Sequence, residues 1–350
     1  MAKKNKEDKK PSIDLTQQLK ALREIAKELN DSFDQPVAGV ASDGMTSDVE
    51  EFISTGSTLL DIVMRGGVPI GRFTEIFGRE GSGKSTIATS VMAQCQKKNG
   101  ICILLDTEGK FSKDRAIRMG LRPEAVLELN ASSVEMAFEN LIKLINSVRE
   151  NDATKDVPLL VVLDTLAALP SEAELTDDSF SGGMMDKPRA IHRYIGRKMP
   201  NLVKQHKVAV LILNQVITGP KGDSTPGGSA LPFQATQRAR VRRMEVLKDS
   251  KDITYGIVTA VQLVKNAVDG NLTKSDTVKF PITFKDGIED LISLVDFLIE
   301  SKIAEVSAKG AWVKFDINGT QFSCYPKDVK TKVTEHNLEP WIRNKVNELL

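Results

Sequence analysis

Gly78-Arg79-Glu80-Gly81-Ser82-Gly83-Lys84-Ser85 fits the pattern GxxxxGK[ST]. Residues of these types at this spacing hold phosphate: the glycines let successive backbone N–H groups turn inward as an anion nest, and a helix starting there adds its aligned peptide dipoles. Lys84 is spaced to reach the β- and γ-phosphates of a nucleotide such as ATP, and Ser85 to put a hydroxyl on Mg2+, with Thr86 next to it at the head of the helix. The loop follows an apolar run, Phe73 to Phe77, and precedes a helical pattern, which is the strand-loop-helix setting the motif requires.

Two carboxylates extend this chemistry toward hydrolysis. Val161-Val162-Leu163-Asp164 is an apolar run ending in an aspartate, a position from which Asp164 can hold the hydration shell of magnesium. Leu104-Leu105-Asp106-Thr107-Glu108-Gly109 ends a neighbouring run, and Glu108 is the candidate to position and polarise the attacking water. The plainer alternative for Asp164 is a strand-end cap, and Glu108 taken alone is more often a surface glutamate than a base. Beside a phosphate loop the catalytic reading is the better one.

Groups of this kind need a rigid sheet behind them. Phe73 to Phe77, Ile101 to Asp106, Leu159 to Asp164 and Val208 to Asn214 are nearly all apolar, as strands covered on both faces by helices are. Helical patterns alternate with them at Thr86 to Lys97, Ser133 to Arg149 and Pro188 to Gln205. The expected fold is therefore a doubly wound α/β core with a mainly parallel sheet, its ligands lying beyond the carboxyl ends of the strands.

The flanks have a different texture. A lysine-rich tail, residues 1–10, precedes an amphipathic pattern in which Leu15, Leu19, Leu22, Ile25 and Leu29 predict a helix from about Ser12 to Asn30. Pro36 to Ser47 reads as a linker, with an extended piece at Pro36 to Ala41. One helix cannot build its own core, so its apolar stripe belongs on the main domain or on another molecule. At the other end, Ile288, Leu291, Ile292, Val295, Leu298 and Ile299 form a helical stripe, followed by an aromatic segment and a last helix, Pro340 to Leu350. The expected divisions are 1–48, a tail, helix and linker; 49–286, the core; and 287–350, a small α+β domain.

Composition bounds the class. Hydrophobic residues make up 41% and charged residues 27% of the 350, as in soluble globular proteins, and no apolar run approaches the length of a membrane helix. The basic N-terminus leads into no apolar stretch and is not a secretory signal. A cytoplasmic location and no membrane partner are expected. The net charge of +1 excludes a globally basic nucleic-acid coat, so any such surface is local. Cys95, Cys102 and Cys324 lack metal-ligand spacing and read as small buried hydrophobes; His192, His206 and His336 lack it too.

In order along the chain, Ile53-Ser54-Thr55-Gly56-Ser57, Leu60-Asp61, Gly66-Gly67-Val68-Pro69-Ile70-Gly71-Arg72 and Glu75-Ile76-Phe77-Gly78 lead into the phosphate loop. Leu163-Asp164-Thr165-Leu166-Ala167-Ala168-Leu169, Leu213-Asn214-Gln215 and Gly227-Gly228-Ser229-Ala230-Leu231 follow, then Lys309-Gly310-Ala311-Trp312 near the end. From about residue 12 to 350 the chain resembles the RecA recombinases of bacteria and bacteriophages. The resemblance implies a RecA-fold ATPase that forms a helical filament of copies of itself on single-stranded DNA. It also implies pairing with homologous double-stranded DNA and strand exchange, in recombinational repair and the SOS response to DNA damage, beside a single-strand-binding protein. It implies that Glu108 is the catalytic glutamate, that Gln215 senses the γ-phosphate, and that the N-terminal helix docks on the adjacent subunit. Asp106 to Phe111 with Arg115 resembles the archaeal and eukaryotic branch better, which implies that Arg115 stacks on adenine.

Two segments combine cations with flexible backbone, as single-strand binding requires. The first is Asp177 to Met185, followed by Arg189, Arg193 and Arg197 at i, i+4 and i+8, one face of a helix. The second is Val216 to Gly228 with Lys221, Gly227 and Gly228, followed by Arg238, Arg240 and Arg242 on one face of a strand. Solvated, salt-bridged faces are the bland reading of both rows; their place beside glycine-rich loops favours DNA. The resemblance implies Arg197 as a DNA contact, and Ile217 is the candidate wedge between bases.

The chain also departs from the family. Bacterial members carry Lys-Asn-Lys, two lysines that reach the phosphates across the subunit interface; here the stretch is Lys265-Asn266-Ala267. Lys265 remains the candidate trans cation; either Lys274 or another group replaces the second, or hydrolysis is less tightly tied to the filament than in the family. Two further functions are open on these residues: a ring-forming DNA motor with the same fold, and a regulatory paralogue that hydrolyses little.

Overall fold

Continuous apolar runs make strands that are buried on both faces, and the computed structural model has them so. It describes residues 14–33, 37–43, 49–176, 186–219, 222–268, 277–307, 312–317, 320–325 and 328–349. The candidate DNA loop Asp177 to Met185, and Lys221, Lys274 and Lys309 to Ala311, lie outside the described residues. The chain falls into two compact units, Met1–Val49 and Glu50–Leu350.

In the first unit, helix α1 (Leu15–Asn30) is capped by the Asp14 carboxylate, which accepts from the Thr16 N–H at 2.9 Å. Its stripe residues Leu15, Leu22, Ile25 and Leu29 are exposed, Leu15 by 78%, and no residue of the helix is buried. Asn30 folds the following segment back: its side-chain oxygen accepts from the N–H groups of Val37 and Ala38, and its amide donates to Ala38 O. Arg23 grips Asp43 with two bonds of 2.6 Å. Residues 37–40 carry no regular element, and Ala41–Asp43 is a 3-10 turn; Pro36 lies outside the described residues.

The second unit is built on a nine-stranded sheet: β1 (Phe73–Gly78), β2 (Ile101–Asp106), β3 (Val126–Glu128), β4 (Leu159–Asp164), β5 (Val208–Gln215), β6 (Gln237–Lys248), β7 (Thr254–Asn266), β8 (Thr277–Thr283) and β9 (Gly287–Ile288). The order is β9-β8-β7-β6-β1-β5-β4-β2-β3. From β6 to β3 all neighbours are parallel; β6 to β9 is an antiparallel extension. The mainly parallel expectation holds for the half that carries the phosphate loop.

Alternate strand residues feed two cores. Cys102, Leu104, Leu160 and Val162 pack with Ile87, Val91, Met92 and Cys95 of α2 (Lys84–Lys97). Ile103, Leu105, Val161 and Leu163 pack on the opposite side with Phe138, Leu141 and Ile145 of α3 (Val134–Glu150), whose N-cap is Ser133. That second core also takes Ile191 from α4 (Asp186–Arg193) and Val203 from α5 (Met199–Gln205). Between α4 and α5 the chain makes a π-helical turn, Tyr194–Lys198.

The first core continues into the C-terminal segment through Leu294, Val295 and Leu298 of α6 (Asp290–Glu300), Phe315, and Ile342 and Val346 of α7 (Glu339–Leu349). Arg343 ties that last helix down, donating to Thr58 Oγ1, Asp290 Oδ2 and Glu339 Oε1. All three cysteines are free and buried, as expected. Among the described residues no helix is long and apolar enough to cross a membrane.

Candidate phosphate-binding site and its adjoining loops

Strand register brings the chemical groups together. The phosphate loop leaves the end of β1, where Gly78 stands opposite Gln215 at the end of β5; Asp164 at the end of β4 stands opposite Asp106 at the end of β2. Four parallel strands thus deliver Lys84, Gln215, Asp164 and Glu108 to one edge.

The loop is shaped for an anion. Gly81 and Gly83 have φ of 68° and 102°, the left-handed region that glycine adopts without a Cβ clash. Added bulk is also excluded by neighbours: a Cβ on Gly83 would come within 2.7 Å of Ile282 Cδ1, and one on Gly78 within 2.2 Å of Val241 O. Gly83 caps α2 without a side-chain bond, so the first N–H groups of a fourteen-residue helix point from the loop without a side-chain acceptor. Ser82 Oγ is buried with no partner in the protein. Lys84 arches back over the loop, donating to Gly78 O and Arg79 O at 3.0 Å. Burial holds its ammonium below the usual lysine range, against the pull of Asp164, Glu108 and Glu80.

The same edge has a donor set for a hard cation. The Ser85 hydroxyl donates to Asp164 Oδ2 at 2.7 Å, and Asp106 braces the next turn by accepting from Glu108 N and Phe111 N. Burial raises the Asp164 carboxyl above its ordinary range, while the bond from Ser85 lowers it. A hydroxyl and a carboxylate on oxygen suit Mg2+, which keeps several waters. Orphaned N–H groups, an unpartnered buried hydroxyl and this oxygen pair together fit a magnesium nucleotide.

Glu108 is held on both oxygens. Gln215 Nε2 donates to Oε1 at 2.8 Å, and Lys110 lies 2.8 Å from Oε2 while also reaching Glu80 at 3.1 Å. These ion pairs, with Glu108 first, keep the Lys110 ammonium above its usual range. Sequence reasoning missed Lys110; its spacing two residues after Glu108 was the available signal. Arg115 donates to Thr86 Oγ1 at 2.8 Å, its Nε buried without a partner, and it lines a cleft with Ser85, Thr89, Phe111 and Asp164.

The second candidate DNA segment begins where Gln215 ends. Ile217–Gly219 pairs with Gly222–Ser224 as a small hairpin, and Ile217 is 54% exposed. Asn214 clamps its base, donating to Pro226 O and to Glu75 Oε1 at 3.1 Å each. Glu75 is fully buried and receives Arg238 Nε at 2.5 Å, with the Arg238 guanidinium 4.8 Å from the centre of the Phe77 ring. This corrects the expected row of DNA-facing arginines on β6: Arg238 is committed to a buried carboxylate, whereas Arg242 is exposed. Lys265 donates to Pro232 O and Phe233 O within its own chain, at the end of the short helix Ala230–Gln234.

Arg189, Arg193 and Arg197 are all exposed, but they do not share one α-helical row. The π-helical turn falls between Arg193 and Lys198, which changes the angular spacing to Arg197, and Arg189 pairs with Asp186 at 3.0 Å. Gly227 and Gly228, with φ of 96° and 73°, settle onto α4: a Cβ on Gly227 would meet Ile191 Cδ1 at 2.9 Å and one on Gly228 would meet Pro188 Cβ at 3.3 Å. The foot of the second candidate segment therefore meets α4, the helix that carries Arg189 and Arg193. Among the described residues no cluster of metal-binding side chains lies elsewhere.

Comparison with known proteins gives the chain a family. The family model described as the RecA N-terminal domain matches residues 20–289. The chain is 33% identical over 302 residues to Protein RecA of Bdellovibrio bacteriovorus, covering 85% of this chain and 75% of the relative. It is 34% identical over 284 residues to Protein RecA of Rhodospirillum rubrum, covering 79% and 73%. Protein RecA of Trichodesmium erythraeum is 31% identical over 318 residues, covering 89% and 83%.

Proposed function

The chain belongs to the RecA family of recombinases, and from that premise we propose that it is a DNA-dependent ATPase that polymerises on single-stranded DNA and exchanges strands with homologous duplex. The observation that carries this reading is the bond from Gln215, the last residue before the second DNA segment, to Glu108 beside the phosphate loop. One hydrogen bond joins the group assigned to the γ-phosphate and its water to the base of the segment assigned to DNA.

In this reading the N–H groups at the head of α2 and the Lys84 ammonium hold the phosphates of ATP, and Ser85 and Asp164 hold Mg2+ through oxygen and water. When bound, the metal neutralises charge on the phosphates. Glu108 orients the attacking water and accepts its proton. Gln215 follows the terminal phosphate, and because its neighbour Asn214 bonds Pro226 at the far end of the loop and Glu75 on β1, movement at Gln215 is passed across the base of the loop. Arg115, beside Thr86, is assigned to the base of the nucleotide, and Lys265 to the neighbouring subunit's nucleotide. Arg189, Arg193, Arg197, Ile217, Lys221, Gly227 and Gly228 are assigned to DNA. The exposed stripe of α1 supports self-assembly, and the partners are single-stranded DNA, homologous duplex and a single-strand-binding protein in the cytoplasm. A family match spanning 20–289 and relatives covered over most of their length do not favour the ring-forming motor or the regulatory paralogue.

The test is a joint-molecule assay with circular single strands and homologous linear duplex, ATP and a single-strand-binding protein. Joint molecules that depend on ATP and on homology are expected; none formed would refute strand exchange.

A further inference from the structure

Lys110 is a cation that the phosphate-loop motif does not account for. Its ammonium joins Glu108, 2.8 Å away, to Glu80 inside the loop, 3.1 Å away. It is close enough to Lys84 for the two positive charges to act on one another. The side chain is 57% exposed and lines the same cleft as Ser85, Asp106, Arg115 and Asp164. Gly109 before it has φ of 63°, and a Cβ there would meet nothing within 4 Å, so the turn that leads into Lys110 has open space beside Gly109.

Charge decides what such a lysine does. Glu80 and Glu108 face both Lys84 and Lys110 at this edge, and Asp164 faces Lys84. A terminal phosphate carries more charge and more acceptor oxygens than one carboxylate, so it competes well for an exposed ammonium on a flexible stem. Departure of Lys110 would also leave Glu108 with a single donor, Gln215. A carboxylate with a free oxygen is the better proton acceptor.

Resting on the nucleotide reading above, we propose that Lys110 is a second phosphate-directed cation of this site, one that trades Glu108 and Glu80 for the terminal phosphate of a nucleoside triphosphate. It then acts on the nucleotide bound by its own subunit. It reads triphosphate against diphosphate, because its partner Glu108 is the group assigned above to the terminal phosphate and its water.

Equilibrium binding without turnover tests this, using fluorescent ADP and the matching non-hydrolysable triphosphate on wild type, Lys110→Ala and Lys110→Arg, each checked for unchanged thermal unfolding. Lys110→Ala is expected to lose about tenfold in triphosphate affinity, the scale of one charge-assisted contact, and to keep its diphosphate affinity. Lys110→Arg is expected to keep most of both. An unchanged ratio of the two affinities in Lys110→Ala, with wild type binding both nucleotides, overturns the role of Lys110 alone. Wild-type protein that binds neither nucleotide overturns the nucleotide reading, and this inference with it.

Discussion

Gln215 donates its side-chain amide to Glu108 at 2.8 Å, although 107 residues separate them in sequence. The two stand at the ends of different strands, and only the parallel register of β5 and β2 through β4 brings them together. Replacing them should separate chemistry from control. Glu108→Gln is expected to lower ATP turnover by about a hundredfold or more, the usual contribution of a general base. Gln215→Ala is expected to keep slow basal turnover and lose its stimulation by single-stranded DNA. Steady-state phosphate release with and without an oligonucleotide reads both.

The buried pair of Glu75 and Arg238 should be costly to break on one side only. Arg238→Met leaves a fully buried carboxylate with the Asn214 amide alone, at a cost of about 3–5 kcal/mol in urea unfolding. Changing both residues together, Glu75→Gln with Arg238→Met, is expected to recover part of that loss. A double variant no more stable than Arg238→Met would contradict the pairing.

Stability should carry a mark from Asp61. Burial pushes its carboxyl up to about 6, with Asp290 adding to the rise and bonds from Ser54 and Thr55 opposing it. An unfolded aspartate titrates near about 3.9, so the folded chain binds the extra proton and the contribution declines as pH climbs from about 4 to about 6. Asp61→Asn removes that decline. Relative to wild type, its urea midpoint should therefore improve steadily between pH 4.5 and 7; parallel curves would contradict the assignment.

The face of α1 gives an assembly prediction. Ile25 is exposed on a helix with no buried residue, so Ile25→Asp should leave the thermal unfolding of the second unit unchanged. Sedimentation of the variant with nucleotide and long single strands should show short or absent filaments where wild type forms long ones.

Local chemistry made much of this legible in the sequence. Ile101–Asp106 and Leu159–Asp164 are strands at the bounds their apolar runs set, since a strand covered on both faces leaves no room for polar residues. The phosphate loop was legible because its shape depends on glycines and on the elements beside it. The partner of β6 was not: Arg238, Arg240 and Arg242 read as one strand face turned to DNA until it is seen that Arg238 neutralises Glu75, 163 residues away. Likewise the spacing of Arg189, Arg193 and Arg197 assumed a uniform helix, and no residue type announces a π-helical turn at Tyr194–Lys198. The partners of Glu108 depended on strand order, which periodicity does not encode.

The central claim is that nucleotide state governs the hold on DNA through Glu108, Gln215 and the loop that follows. The affinity of the full-length protein for a fluorescent single-stranded oligonucleotide, measured with no nucleotide, with ADP and with a non-hydrolysable ATP analogue, tests it most directly. The account predicts tight binding with the analogue and weaker binding in the other two conditions, with Gln215→Ala flattening the difference. Equal affinity of the wild-type protein in all three would contradict it.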